Sequence, residues 1–229
     1  SRCRFPRPRR NWRSTLCADD GQLRAMRWLI GLLLLAFAVP PAEARPGVRV
    51  TVTRTGGGDW LVDYDFGHRA PVWFFQRSGK DLAGKPWRPR SWTVETPGVR
   101  LTRAGHYDVL TADGAPLTRV RIRMRPFAHP LTADYTPVLA FSDGGLAIYS
   151  DHFLVAPLPS LAAVAALPAD LNGVRMDQPP VTLAFSDAGH RLLLRGKTLK
   201  GKASLPLDEP GTYLYSGDAP VIETAAFAG

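Results

Sequence analysis

Apolar and polar residues alternate with a period of two along much of the chain after residue 45. Val48, Val50 and Val52 alternate with Arg49, Thr51 and Thr53. Beyond Gly56-Gly57-Gly58, the residues Trp60, Val62, Tyr64 and Phe66 alternate with Leu61, Asp63 and Asp65. Two such runs about a glycine turn predict a β-hairpin with one buried and one wet face. Pro71 to Phe75 reads as a third strand, apolar throughout, and Arg77 to Arg90 as a long loop punctuated by Gly79, Gly84, Pro86 and Pro89. Trp92 to Glu95 resumes an extended pattern.

Val99 to Arg103 and His106 to Thr111 flank Ala104-Gly105 and predict a second hairpin. Leu117 to Arg125 alternates strictly, with Val120, Ile122 and Met124 inward and Arg119, Arg121, Arg123 and Arg125 outward. Val138 to Phe141 and Leu146 to Tyr149 form a third hairpin pattern. One short helix is expected from Leu161 to Leu167, started by Pro159-Ser160 and stopped by Pro168. Val181 to Phe185 and Arg191 to Arg195 then read as strands about a turn at Asp187-Ala188-Gly189. Ala203 to Leu207 and Thr212 to Tyr215 are weaker strand patterns. Many short strands separated by turn residues predict an all-β fold, an antiparallel β-sandwich or bent double sheet with one short helix. Leu139 to Gly145 nearly repeats as Leu183 to Gly189, which shared turn chemistry explains.

Charge changes the picture of where the domain begins. The 229 residues carry a formal net charge of +9 and a pI near 10.1, values that invite a nucleic-acid reading. Met26-Arg27, an apolar run from Trp28 to Val39 and the small residues to Ala44 have the layout of a secretory signal peptide. The run is shorter than the roughly 20 residues a membrane span needs. Residues 26–44 are therefore expected to be a cleaved signal, and residues 1–25 an upstream extension outside the fold. Residues 1–44 hold eight Arg against three acids, so residues 45–229 keep 21 basic and 17 acidic residues, a net of +4. That balance removes the reason to expect a nucleic-acid partner. Both cysteines, Cys3 and Cys17, also precede Ala44, so the 45–229 domain has no thiol for a disulfide or a nucleophile. The expected location is exported, periplasmic or extracellular, with no stable membrane span after cleavage.

Candidate chemistry is sparse. The five histidines, His68, His106, His129, His152 and His190, are scattered, and no His-Glu-x-x-His is present. A zincin needs two His one helical turn apart, so no metal, cofactor or catalytic residue is expected in this chain. Asp151 and His152 are adjacent, and on a strand they would point to opposite faces. Gly196-Lys197-Thr198 ends like a phosphate loop, but Arg191 stands where its leading Gly belongs and no helix pattern follows. The possible contact surface is the row Arg119, Arg121, Arg123 and Arg125, joined by Trp87 and Trp92 in or beside the loop.

The segments Pro71-Val72-Trp73-Phe74 through Trp92-Thr93-Val94, and Phe141-Ser142-Asp143-Gly144 with Ser150-Asp151-His152-Phe153, resemble exported bacterial gluzincin-type proteins of the glycyl aminopeptidase group. The resemblance covers about residues 48–222 and is one of segment text and order. It implies an N-terminal β-domain that precedes a zinc-binding catalytic domain missing from this chain, which would be its partner. None of the family's zinc ligands has a counterpart here. The alternative expectation is a stand-alone periplasmic binding module for envelope glycans or an anionic partner, using the Arg row and the two tryptophans.

Overall fold

The structure is a computed structural model and describes residues 47–217 apart from 57, 142, 143 and 208–210. The chain divides after Ala44, and the described residues belong to the unit Arg45–Gly229. The expected extension at 1–25 and the signal segment at 26–44 lie outside the described residues.

The fold is all-β, in several mostly antiparallel sheets, one of which curls as a half-barrel. The alternating hairpin Val48–Arg54 (β1) and Trp60–Ala70 (β2) pairs as expected, with Val52 opposite Val62. β2 pairs next with Leu117–Met124 (β8), and β8 with Trp92–Val94 (β5). On its other edge β1 runs parallel to the long strand Val181–Leu194 (β13). Beyond β13 the sheet continues through Tyr213–Gly217 (β15), Leu146–Tyr149 (β11) and Val138–Ala140 (β10), while Lys197–Pro206 (β14) pairs with β13.

A second sheet orders Val155–Leu158 (β12), Val72–Phe75 (β3), Tyr107–Ala112 (β7) and Val99–Ala104 (β6). Lys80–Asp81 (β4) and Leu131–Thr132 (β9) form a small ribbon. The unbroken apolar text of β3 has a packing reason. Trp73 and Phe75 join the main core with Trp60, Val62 and Ile122. Val72 and Phe74 face the other way, into a smaller cluster with Tyr107, Val109 and Val164. A strand buried on both faces has no polar phase.

Among the described residues there are two helices rather than one, Arg88–Ser91 (α1) and Leu161–Ala165 (α2), with a 3-10 turn at Ser150–Phe153. In α2 the Ser160 hydroxyl accepts from the Ala163 N–H at 3.1 Å, which satisfies one free donor of the first turn. The helix seats Val164 in the smaller cluster and ends two residues before the expected Leu167. α1 overlaps the end of the segment expected to be a loop, Arg77 to Arg90, and runs one residue past it.

The expected turn at Asp187-Ala188-Gly189 is not a hairpin. β13 passes through it with a register irregularity between Ser186 and Arg191. The Asp187 side chain turns inward, buried, and accepts from Arg54 Nη1 at 3.2 Å and from the Ser216 hydroxyl. His190 Nδ1 lies 2.8 Å from its other oxygen. Burial opposes the charge, but the hydrogen bonds from Ser216, His190 and Arg54 outweigh it and hold the Asp187 carboxyl below its ordinary range.

Candidate functional site

β8 places Arg119, Arg121 and Arg123 on its outer face, as its alternation requires, and Arg125, just past its end, is exposed as well. It also places acids beside them. Asp63 of β2 stands opposite Arg121, and Asp65 opposite Arg119. Arg121 grips Asp63 through two nitrogens at 2.6 and 3.1 Å. Arg119 reaches Asp65 at 3.3 Å, Arg123 reaches Glu95 at 2.7 Å and Arg125 lies 3.8 Å from Asp59. The row is a ladder of ion pairs with acids of β2 and of the residues flanking β2 and β5, and its arginines stay exposed at the surface. Arg49, Thr51, Thr96 and the first pairs of the ladder line a shallow depression of about 540 Å³.

Trp87 and Trp92 are corrected as well. They are 1% and 3% exposed and belong to the main core. The cause is Arg88. Its guanidinium centre sits 4.0 Å from the Phe75 ring, 4.7 Å from Trp87 and 4.9 Å from Trp92. A cation over aromatic faces is attracted by their quadrupoles. Arg88 is fully buried and donates to Asp108 Oδ2 at 2.6 Å, to the Arg77 carbonyl at 2.8 Å and to the His152 carbonyl at 2.9 Å. Desolvation lowers its pKa, while Asp108 acts to raise it. Arg103 binds the other oxygen of Asp108 at 3.1 Å. A segment rich in Arg and Pro therefore folds inward around one paired cation.

Around the mouth of this core lies a polar cleft of about 780 Å³, lined by residues that include Arg77, His106, Asp134, Asp151, Asp170 and Met176. Arg77 bridges Asp134 at 2.8 Å and Asp151 at 3.2 Å. Its guanidinium lies 5.5 Å from the Tyr135 ring and 5.6 Å from Tyr149. Burial works against the charge of Arg77, yet the anionic fields of Asp134 and Asp151, helped by Tyr149, push its pKa up. The Tyr149 hydroxyl is pushed up by desolvation and then by Asp151. Nothing in the sequence pattern joins Arg77 to Asp134 and Asp151, because Arg77 follows β3, Asp134 follows β9 of the ribbon and Asp151 follows β11 of the main sheet.

Asp151 and His152 do not pair, and the reason differs from the one expected. They occupy a 3-10 turn, not a strand. Asp151 goes to Arg77, and His152 turns inward, where Nε2 lies 2.9 Å from the Tyr135 carbonyl. A carbonyl only accepts, so Nε2 carries the proton. Desolvation first, and then the charges of Arg88 and Arg77, lower the His152 pKa to about 3. The imidazole is neutral at pH 7. Of Gly196-Lys197-Thr198, Gly196 lies in a two-residue turn with Arg195, and Lys197-Thr198 opens β14 and not a helix.

Among the described residues no group of three or more His, Cys, Asp or Glu could hold a metal ion, and no helix is long and apolar enough to cross a membrane. Comparison of the sequence with protein-family models and with curated proteins finds no match.

Proposed function

We propose that residues 45–229 are a non-catalytic N-terminal β-domain of an exported gluzincin-type zinc peptidase. The observation that carries the non-catalytic half is the fate of the inner carboxylates. Asp81, Asp108, Asp134, Asp151 and Asp187 are each held by an arginine: Arg90, Arg88, Arg77, Arg77 and Arg54 in turn. A general acid is a carboxyl kept protonated, and a zinc ligand is a carboxylate with its lone pairs free. Acids locked to guanidinium groups do neither; they hold loops and sheets together. The peptidase half rests on the resemblance of the segments at 71–94 and 141–153, of which Val72–Phe75 is β3, Trp92–Val94 is β5 and Ser150–Phe153 is the 3-10 turn beside the cleft.

The alternative module has less support, since the arginine row is exposed but paired with acids and the two tryptophans are packed in the core. The experiment is to sequence the DNA downstream of the Gly229 codon and to express the joined product beside the 229-residue chain. An in-frame His-Glu-x-x-His, with zinc-dependent peptidase activity in the longer product alone, is expected. A stop codon followed by an unrelated gene overturns the reading. N-terminal sequencing of the exported protein checks the location, with Arg45 expected as its first residue.

A further inference from the structure

The positive charge of the 45–229 unit is concentrated where the arginine row is not. Between Asp187 and Asp208 the sequence holds Arg191, Arg195, Lys197, Lys200 and Lys202 and no acid. These five cations exceed the net +4 of residues 45–229, so the remainder of that unit is close to neutral. The fold gathers them on one β13–β14 hairpin. Arg195 and Gly196 form its turn with positive φ values of 49° and 73°, the backbone of a tight type I′ connection. Along β14 the alternation is strict: Thr198, Lys200, Lys202 and Ser204 are exposed, while Ala203 and Leu205 are buried. Lys200 stands directly opposite Arg191, also exposed. Like charges facing each other across a strand pair oppose pairing, so Lys200 gains nothing from Arg191 itself. Asp187, the acid closest in sequence on β13, is buried and taken by Arg54, His190 and Ser216. Lys197, Lys200 and Lys202 have no carboxylate partner among the described residues.

We infer that the β13–β14 hairpin docks the protein on an anionic lipid surface. Three of its cations are lysines, which are strongly hydrated point charges on flexible stems. They suit a diffuse layer of headgroup phosphates better than the planar, two-pronged recognition of a single carboxylate that arginine provides. Clusters of four to eight Lys and Arg are the usual electrostatic footprint of binding to anionic lipid. Lys200 and Lys202 are spaced by about 6.6 Å along the strand, with the Thr198 and Ser204 hydroxyls on the same face to donate to phosphate oxygens. This surface is independent of the peptidase reading and stands or falls without it.

The test is flotation of the full chain with vesicles of phosphatidylcholine, with and without phosphatidylglycerol. Arg2, Arg4, Arg7, Arg9, Arg10 and Arg13 are first replaced by Ser, so that the leading arginines do not contribute. The readout is the ratio of affinities for the two vesicle types. Binding to the anionic vesicles alone is expected, and it is lost as NaCl is raised. Lys197→Ser, Lys200→Ser and Lys202→Ser together lower the affinity about a hundredfold. The matched triple change of Arg119, Arg121 and Arg123 to Ser leaves it within a few-fold. Circular dichroism confirms that each variant folds. Equal binding to both vesicle types, no binding at low salt, or full binding by a folded lysine variant overturns the inference. So does a lysine variant that aggregates while its soluble fraction still binds, because the lysines then only guard an edge strand.

Discussion

Two strands of this domain carry a row of exposed cations, and they have opposite electrostatic fates. On β8, Arg119 and Arg121 face Asp65 and Asp63 of β2 in register, and Arg123 finds Glu95. On β14, Lys200 faces Arg191 and Lys202 faces Ser186. Both rows have the same alternation and much the same charge. The neighbour across the ladder makes one a self-neutralised surface and leaves the other cationic. A basic stripe in a sequence is therefore half of a statement; its cross-strand partner supplies the other half.

The buried extreme of pairing gives the largest expected effect. Arg88→Met leaves Asp108 in the core with only Arg103 to hold it. Loss of one partner of a buried pair costs about 3–5 kcal/mol, read as a fall in the urea midpoint of unfolding. Arg88→Met with Asp108→Leu recovers most of that loss, because no charge is then stranded. Recovery of nothing would show that the pair is worth more than its apolar replacement.

A pH series comes next. His152 binds its proton in the unfolded chain near its ordinary pKa of about 6.5 and in the fold only near 3. Between those values the unfolded state holds more protons, so stability falls as the pH drops through the window, by up to about 1.4 kcal/mol per pH unit. Above the upper value this contribution is fully present. His152→Phe keeps a ring beside Trp87 and flattens that part of the curve; an unchanged slope would assign the acid sensitivity to other groups.

Breaking the exposed ladder matters less. Asp65→Lys puts a like charge against Arg119, and stability falls by less than about 1 kcal/mol, since Arg119 is 80% exposed. The exchange of the two charges, Asp65→Arg with Arg119→Asp, restores it. The smallest effect is the converse on β14. Lys200→Glu gives Arg191 an opposite charge and raises stability by a few tenths, about 0.3 kcal/mol. It also weakens attachment to anionic vesicles. A gain in stability with undiminished vesicle binding would separate the two properties and move the docking surface elsewhere.

Much of the fold was legible because burial on one face forces a period of two. The hairpins β1–β2, β6–β7 and β10–β11, the strand β8 and the short helix α2 all stand where the patterns place them. The missed elements are those with no period long enough to read. β4, β9 and α1 span two to four residues each. β14 was legible only at its buried end, because Lys197 and Gly201 occupy inward positions of its first half and leave Leu199 as the one apolar residue there. The pair Leu139 to Gly145 and Leu183 to Gly189 shows the limit most clearly. The first closes a hairpin, with the Phe141 N–H bonded to the Gly145 carbonyl at 2.9 Å. The second is drawn into one continuous strand, because Arg54 and Ser216 capture Asp187 from other strands.

The candidate site divides in the same way. That Arg119, Arg121, Arg123 and Arg125 point outward follows from alternation alone. That Asp59, Asp63, Asp65 and Glu95 meet them depends on the register of β2, β5 and β8, which no single strand encodes. Trp87 and Trp92 read as surface because Lys, Pro and Arg surround them in the text. Only the folded chain brings Asp108, three aromatic rings and two carbonyls around Arg88, and that set of partners is what lets a charge enter the core and take the tryptophans with it. By itself the sequence determined the β class, the faces of the strands and the net charge after Ala44, since each is a local or additive property. The tertiary structure decided which charges cancel, since cancellation depends on distances between residues far apart in the chain.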